Sequence, residues 1–441
     1  MNAFVKGTLV LTASAFIGEC VDLLINMTLA RELGEYGIGQ YQTILPVIVL
    51  VIILASMEFP VAIAKFVAER ERKYHLALLK NAVALASAAM LLLMACFFVF
   101  FSAVPVFSDI HPRIRWAVFL LIPLVSLTSV ARGYFMGTRQ MDKIAVANLF
   151  RRTVQLFCLA LLFRLFDFPL GMSIVIAVSA FLCGELITFL YLMSNYLLEI
   201  RYLKNISFQE KVERKEVFKR LLEISVPTTG MQLFLALCNT IEPFLIKSAT
   251  VAGGLSSNEA TEHFGMVAGV AMAVGFFPAF IAHSLMTVLV PEVAGAYIRR
   301  DREKLAKLLK RVILFTFLYG IPVCAGIYFF ADPLTDLFVP SDTAAFYLRL
   351  LWPYFFLHYF SIPFQGILIG MGLIKETFFY QIWTTAVSYL TIYVFGASWQ
   401  MGGVIVGMNT GALLLALLYY LTICKKLGIT HTMRLRERKM S

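Results

Sequence analysis

The sequence predicts an all-α integral membrane protein with about twelve transmembrane helices in two six-helix lobes. Three observations predict it: an apolar composition, apolar runs about one bilayer long, and a repeat at half the chain length. Of 441 residues, 60% are hydrophobic and 15% are charged, and the mean hydropathy is +0.81. Soluble domains average about 45–50% apolar and about 25% charged residues. A water-soluble fold of this size could not bury the excess, so lipid is the expected solvent.

The apolar runs set the predicted helices, because a span needs about 20 apolar residues. The first six lie near residues 4–30, 38–65, 80–102, 115–137, 152–166 and 170–194, and the second six near 222–248, 264–298, 311–331, 346–371, 376–396 and 401–424. The first run is too long for a cleavable signal and contains two acids, so it is interpreted as a helix. The fifth looks short, and the eighth is long and interrupted by Pro278 and Pro291.

The positive charges set the orientation. With the N-terminus in the cytoplasm, 32 of the 38 Lys and Arg residues fall on the cytoplasmic side, as the positive-inside rule requires. We therefore expect a multi-pass membrane protein with both termini cytoplasmic. The net charge of +11 lies mostly in these loops, so anionic membrane lipids are expected partners and nucleic acid is not.

The chain repeats itself at half length. At a shift of 231, Pro60 matches Pro291 within similar charged segments, and the RGYFMG string at 132–137 matches QGILIG at 365–370. Two halves in one orientation predict lobes related by a pseudo-twofold axis along the membrane normal, with a central cavity between them. The predicted parts are an N-terminal lobe at 1–198, a cytoplasmic linker at 199–220, a C-terminal lobe at 221–424 and a basic cytoplasmic tail at 425–441.

Two helices carry polar stripes that should avoid lipid. Glu19, Asp22 and Asn26 follow one face of helix 1, together with Thr8 and Thr12. A shift of 220 relates that face to a polar face of helix 7 that contains Thr228, Gln232, Asn239 and Glu242. Ionisable residues inside a span are costly and usually functional, so both stripes are predicted to line the cavity. The alternative is that these groups only satisfy one another.

Four further polar residues are candidates for the substrate or ion pathway. Glu58 is either a site residue or a partner of Arg132, and Arg132 is either a gate or a snorkelling cation at a helix end. His283 and His358 are either proton-linked or ordinary satisfied side chains. Glu185 is interpreted as structural. The predicted pathway residues are Glu19, Asp22, Asn26, Glu58, Arg132, Gln232, Asn239, Glu242, His283 and His358.

The motif search predicts neither an enzyme nor a cofactor. The seven cysteines all fall in apolar runs and none forms a CxxC pair, so no metal or disulfide framework is expected. No GxxxxGK[ST] loop is present, and the predicted loops carry no catalytic pair.

Four strings carry a family resemblance: KGTLVLTASAF (6–16), LARELGEYGIGQYQ (29–42), EFPVAIAKFVAE (58–69) and RGYFMG (132–137). They resemble stage V sporulation protein B-like polysaccharide-biosynthesis transporters, within the multidrug/oligosaccharidyl-lipid/polysaccharide exporter superfamily. The resemblance implies a flippase for lipid-linked saccharides that works by alternating access without ATP. The family's Arg-Gly-x-x-Gln-Gly pattern is broken here, because Met136 stands before Gly137.

Three functions therefore stay open. The first is export of a lipid-linked cell-envelope saccharide, with a link to sporulation implied by the resemblance. The second is a cation-coupled multidrug exporter, because Glu19, Asp22 and Glu242 suit a proton, a sodium ion or a cationic drug better than a pyrophosphate. The third is a membrane scaffold for an envelope-building complex.

Overall fold

The computed structural model describes residues 3–103, 112–204 and 214–428, with side chains from Phe16 to Val99 in the first range. No strand occurs in these ranges. The helices are α1 Ala3–Ser56, α2 Phe59–Glu69, α3 Arg72–Ala103, α4 Pro112–Gly137, α5 Met141–Leu165, α6 Leu170–Lys204, α7 Arg214–Ala252, α8 Ser257–Gly265, α9 Met272–Phe276, α10 Ala279–Ile298, α11 Arg302–Phe329, α12 Ala331–Asp336, α13 Asp342–Leu350, α14 Trp352–Gly370 and α15 Ile374–Leu427, and a π-helix, Met266–Ala271, joins α8 to α9.

The described residues contain nine helical segments long and apolar enough to cross a membrane. Two of them, each 54 residues long, contain a break and so supply two spans each. The first break is at Gly34, whose φ of 67° lies in the region that favours glycine. The second is at Trp399 and Gln400. With α14 as a further apolar helix, the all-α fold agrees with the predicted one of about twelve helices.

Several predicted boundaries are wrong. Helix 5 begins at Met141, not near 152, because Lys143, Arg151 and Arg152 lower the local hydropathy without ending the helix. Helix 8 is broken at Phe277–Pro278, as predicted, but Pro291 lies inside α10. Both ends of the predicted 199–220 linker are helical, since α6 continues to Lys204 and α7 starts at Arg214. The linker residues 205–213 and the tail beyond 428 lie outside the described residues.

The chain divides into two compact units. One consists of residues 1–40 and 242–441 and is called here the split unit; the other consists of residues 41–241 and is called the central unit. The first part of α1 therefore groups with the second half of the chain. These divisions differ from the predicted lobe boundaries at 198 and 221, which stay a prediction.

Glycine-mediated helix contact organises the central unit. A Cβ atom on Gly133 would lie 2.8 Å from the Cβ of Ile63, and one on Gly137 would lie 2.7 Å from the carbonyl oxygen of Ala64. α4 therefore meets α2 almost backbone to backbone. Small residues allow this approach in membranes, where packing and not a hydrophobic driving force holds helices together. Buried aromatic residues, including Phe66 and Phe135, fill the space around the contact.

The split unit repeats the same contact. A Cβ on Gly366 would lie 2.8 Å from the Cγ of Met286, and one on Gly370 would lie 2.8 Å from the carbonyl oxygen of Val290. The two glycines of α14 thus pack on α10 as those of α4 pack on α2. In these contacts Val290 takes the place of Ala64, a shift of 226. The proline match at 231 therefore does not mark structurally equivalent positions.

Candidate functional site

A cationic cluster lies inside the central unit, where α4, α5 and α6 pack together. Arg151 is the eleventh residue of α5, about 15 Å along the helix axis from its start. Arg132 lies on α4 and Glu185 on α6. All three side chains are half-buried. Charged groups at such a depth need partners or a watered surface.

The distances define the cluster. The Arg132 Nη2 donates to Asn148 Oδ1 at 3.3 Å, and Arg151 Nε lies 3.7 Å from Glu185 Oε1. Arg132 also interacts electrostatically with both Glu185 and Arg151. Two guanidinium groups therefore lie within electrostatic range of one carboxylate, which leaves one net positive charge. Each guanidinium has five N–H donors, so donors remain for an external acceptor.

Packing fixes the position of Arg151. A Cβ on Gly184 would lie 2.7 Å from the carbonyl oxygen of Arg151, so α6 and α5 approach closely at this level. The guanidinium carbon lies 5.7 Å from the centroid of the Phe181 ring, a cation–π distance. Tyr41 lies close enough to Arg151 for an electrostatic interaction. The arrangement suits an anion with several acceptor oxygens, such as a phosphate or pyrophosphate.

A second polar cluster lies in the split unit, on α7, α10 and α14. Glu242 interacts electrostatically with Tyr354, and the Tyr354 ring stacks on His358 with centroids 6.0 Å apart. His358 in turn interacts with His283. One carboxylate, one phenol and two imidazoles thus form a series of groups that can hold a proton or a small cation.

The second cluster is held by an interrupted helix. The Phe276 ring lies 4.9 Å from the His358 ring, edge to face. Immediately before it, the carbonyl of Gly275 accepts a 2.6 Å hydrogen bond from the buried hydroxyl of Tyr359. The π-helix Met266–Ala271 precedes this segment. π-Helices occur frequently at functional sites, because they shift the helix register locally.

The acidic stripe of α1 lies in the split unit too. Glu19, Asp22 and Asn26 are half-buried, and the Asn26 amide donates to the Asp22 backbone carbonyl at 3.0 Å. Glu19 and Asp22 each take part in a polar interaction. The side chains of Thr8 and Thr12, predicted on the same face, lie outside the described residues.

Besides the acidic stripe of α1, three predicted residues join neither cluster. Glu58 occupies the N-cap position of α2 with φ 48°, and Glu185, not Glu58, is the carboxylate that interacts with Arg132. Gln232 and Asn239 are exposed on the part of α7 that belongs to the central unit, whereas Glu242 belongs to the split unit. The predicted stripe of helix 7 is thus divided between the two units.

Two members of the clusters are not among the predicted residues. Arg151 precedes the predicted start of helix 5, and the unusual shortness of that predicted helix is a signal that a charged helical segment belongs to it. Tyr354 is not among the predicted pathway residues, because it carries no charge and lies in an apolar run. Its spacing of four from His358 places both on one helix face and could have identified it.

Comparison with known proteins gives the family. Residues 4–296 match the family model described as polysaccharide biosynthesis protein, and residues 265–394 match a second model, MatE. Three curated relatives come from Bacillus subtilis (strain 168). The sporulation protein YkvU is 44% identical and covers 98% of this chain and 97% of its own length. Stage V sporulation protein B is 27% identical, and the match covers 97% of this chain and 85% of the relative. The lipid II flippase MurJ is 20% identical, and the match covers 78% of this chain and 67% of the relative.

Solved structures give the fold. The inward-facing conformation of a multidrug resistance MATE family transporter of the MOP superfamily matches with a TM-score of 0.73 and 18% identity. The match covers 93% of this chain and 94% of the other. The fold is therefore that of the MOP superfamily transporters, as the sequence resemblance implied.

Proposed function

Because this chain belongs to the polysaccharide biosynthesis protein family of multi-pass membrane transporters, we propose that it moves a lipid-linked saccharide across a bacterial plasma membrane. The substrate class is a polyprenyl phosphate or pyrophosphate that carries a cell-envelope sugar. The names of the relatives YkvU, stage V sporulation protein B and MurJ support this class and a link to sporulation.

One observation carries the proposal: the net positive cluster of Arg132, Arg151 and Glu185 inside the central unit. A lipid-linked saccharide has three parts with different needs. Its sugar needs water, its lipid needs the bilayer, and its phosphate needs compensation of charge inside the membrane. Two guanidinium groups with one carboxylate supply that compensation and leave donors for phosphate oxygens.

The cluster also suggests how the substrate is released. Glu185 competes with the substrate phosphate for Arg151, so the anion is held without being trapped. Transport then needs the site to be exposed first to one side and then to the other. Such a cycle makes and breaks no covalent bond, in keeping with the proposal that the protein is a transporter and not an enzyme.

The test is a flipping assay in proteoliposomes. A labelled polyprenyl-pyrophosphate disaccharide would be incorporated, and its appearance outside would be followed with a membrane-impermeant sugar-oxidising reagent. We expect Arg132→Gln and Arg151→Gln each to slow flipping at least tenfold. Arg311→Gln, on the charged start of α11, is the matched control and should keep the wild-type rate. If both cluster variants flip at the wild-type rate, the proposed function has lost the observation that carries it.

A second candidate, a cation-coupled multidrug exporter, rests on the split-unit cluster of Glu242, Tyr354, His358 and His283. These groups suit a proton or a sodium ion, and the MatE match covers three of the four. Export of a lipophilic cationic dye from proteoliposomes tests this function directly. If dye moves and the saccharide does not, the exporter function replaces the flippase. If neither moves, the third alternative, a membrane scaffold, is favoured.

A further inference from the structure

The central unit has a groove that neither the cationic cluster nor the proposed function uses. It lies between α3, α4 and α6, has a volume of about 510 Å³, and is lined mainly by apolar side chains. Val83, Val130 and Phe189 form part of its wall, and Lys80 and Lys204 lie on its lining. Both lysines are exposed.

The groove follows the helix axes. Its lining residues on α6 run from Phe189 to Lys204, a stretch of sixteen residues or about 22 Å of helix. One leaflet of a bilayer has a hydrocarbon depth of about 15 Å, half of the roughly 30 Å core. The groove is therefore long enough for an acyl chain, with both lysines toward one end, where α3 begins and α6 terminates.

The lysines provide the complementary charge. A cation at the C-terminal end of α6 is favoured by the helix dipole, which accounts for Lys204 on its own. Lys80 lies eight residues into α3, beyond the range of that effect, and forms no ion pair with the described residues. Tyr196 lines the groove too, is 3% exposed, and its hydroxyl has no hydrogen-bond partner in the described ranges. The apolar groove suits an acyl chain, and the two ammonium groups at its end suit an anionic headgroup.

We propose that this groove binds one anionic phospholipid, with its acyl chain along α6 and its headgroup phosphate beside Lys80 and Lys204. Under the proposed orientation, this end of the unit faces the cytoplasmic leaflet, where anionic lipids attract basic residues. The lipid would stabilise the contact of α3 with α6. The proposal does not depend on which substrate the protein transports.

Native mass spectrometry of the purified full chain tests the proposal. Phosphatidylglycerol and phosphatidylcholine with identical acyl chains are titrated separately. The wild type should retain the anionic lipid at least fivefold better. Lys80→Ala with Lys204→Ala should bring the two lipids within twofold of each other. The control double variant, Lys215→Ala with Lys310→Ala, removes two exposed lysines that do not line the groove and should keep the wild-type preference.

A second variant keeps Lys80 and Lys204 and fills the groove with a larger side chain. Val83→Trp should lower retention of both lipids, and its thermal midpoint without lipid would establish that it is folded. Equal retention of the two lipids by the wild type, or an unchanged preference in the Lys80/Lys204 variant, would overturn the proposal.

The proposal would also be overturned if the groove held either of two other occupants. If a polyprenyl phosphate displaces phosphatidylglycerol at equal or lower concentration, the groove holds the substrate lipid instead. If cysteines at positions 83 and 208 crosslink equally fast with and without saturating phosphatidylglycerol, the 205–213 segment fills it. Slower crosslinking in the presence of the lipid supports the phospholipid.

Discussion

A guanidinium in the middle of a membrane helix has to be held by its neighbours, and Arg151 is held by a carboxylate, an aromatic face and a close backbone. Glu185 balances its charge, and Phe181 covers one side of it. Hydropathy alone cannot reveal such a residue, because the scale assigns the same cost to a paired and an unpaired arginine. Sequence patterns located Arg132 and Glu242 as candidates. Their partners, Asn148 and Tyr354, could be identified only from the way the helices pack.

Glu185→Gln should destabilise the central unit by about 2–3 kcal/mol. The change leaves two guanidinium groups facing each other without their shared carboxylate, and removal of one partner of a buried pair costs about 3–5 kcal/mol. We expect a smaller loss than for a fully buried pair, because the Arg151 and Glu185 side chains stay 22% and 14% exposed. Thermal unfolding in detergent measures the loss. The control is Glu303→Gln, whose pair with Lys307 is exposed and should change stability by less than about 0.5 kcal/mol.

Asp22→Asn and Glu242→Gln should each reduce transport while the protein still folds. A charge at the bilayer centre costs about 2.5–3.5 kcal/mol on insertion scales, so neutral variants should insert at least as well as the wild type. Transport in proteoliposomes and thermal midpoints, measured on the same preparations, separate the two effects. Unchanged transport in both variants would make the acidic residues purely structural.

At the scale of helices, sequence reasoning succeeded where the apolar composition of a segment decides and failed where charged residues lie inside a helix. Apolar runs located nearly every span. The length of α5 was missed because three cations lie within it, whereas the break at Gly34 falls between the predicted first and second helices. The glycines of RGYFMG and QGILIG were found as a repeat, but their role as helix contacts became visible only in three dimensions.

Gly137→Ala should destabilise the protein by about 1–3 kcal/mol, the usual cost of overpacking. The added methyl group would lie 2.7 Å from both the Ala64 carbonyl oxygen and the Val67 Cβ, so α2 and α4 would have to separate. Gly326→Ala is the matched control in α11, where nothing lies within 4 Å of the new Cβ. There alanine should stabilise the helix by up to about 1 kcal/mol. Opposite shifts of the thermal midpoint are expected, and shifts in the same direction would contradict the contact.

For the whole molecule, the distribution of charge predicts the orientation. The predicted topology assigns 32 of the 38 basic residues to the cytoplasmic side, so we expect residues 69–79 and 299–310 in the cytoplasm. New cysteines there should escape an impermeant thiol reagent in intact cells and react after lysis. A cysteine in the 253–256 turn should react in both cases. Strong labelling of the two basic loops from outside would reverse the proposed topology.

The energy source is also a property of the whole transporter. A membrane potential supplies about 2.3 kcal/mol per charge per 100 mV, enough to shift a two-state equilibrium more than tenfold. We expect transport to depend on an ion gradient or on the potential through Glu19, Asp22 or Glu242. Imposing or collapsing the potential, the proton gradient and the sodium gradient one at a time tests this. Equal rates under every condition would indicate downhill flipping with no coupling.

The split unit is built from two parts of the chain that are synthesised far apart in time, residues 1–40 and residues 242–441. Arg31, on the first helix that the structure describes, donates its Nε–H to the carbonyl of Leu337, 306 residues later. At about 5–20 residues per second, that partner is made about 15 to 60 s after Arg31. During this interval the whole central unit is inserted while the first helix waits without its final neighbours. A ribosome stalled just after the central unit has emerged would therefore hold a complete central unit and a first helix without its later partners, which makes that helix the expected target of membrane chaperones and quality-control proteases.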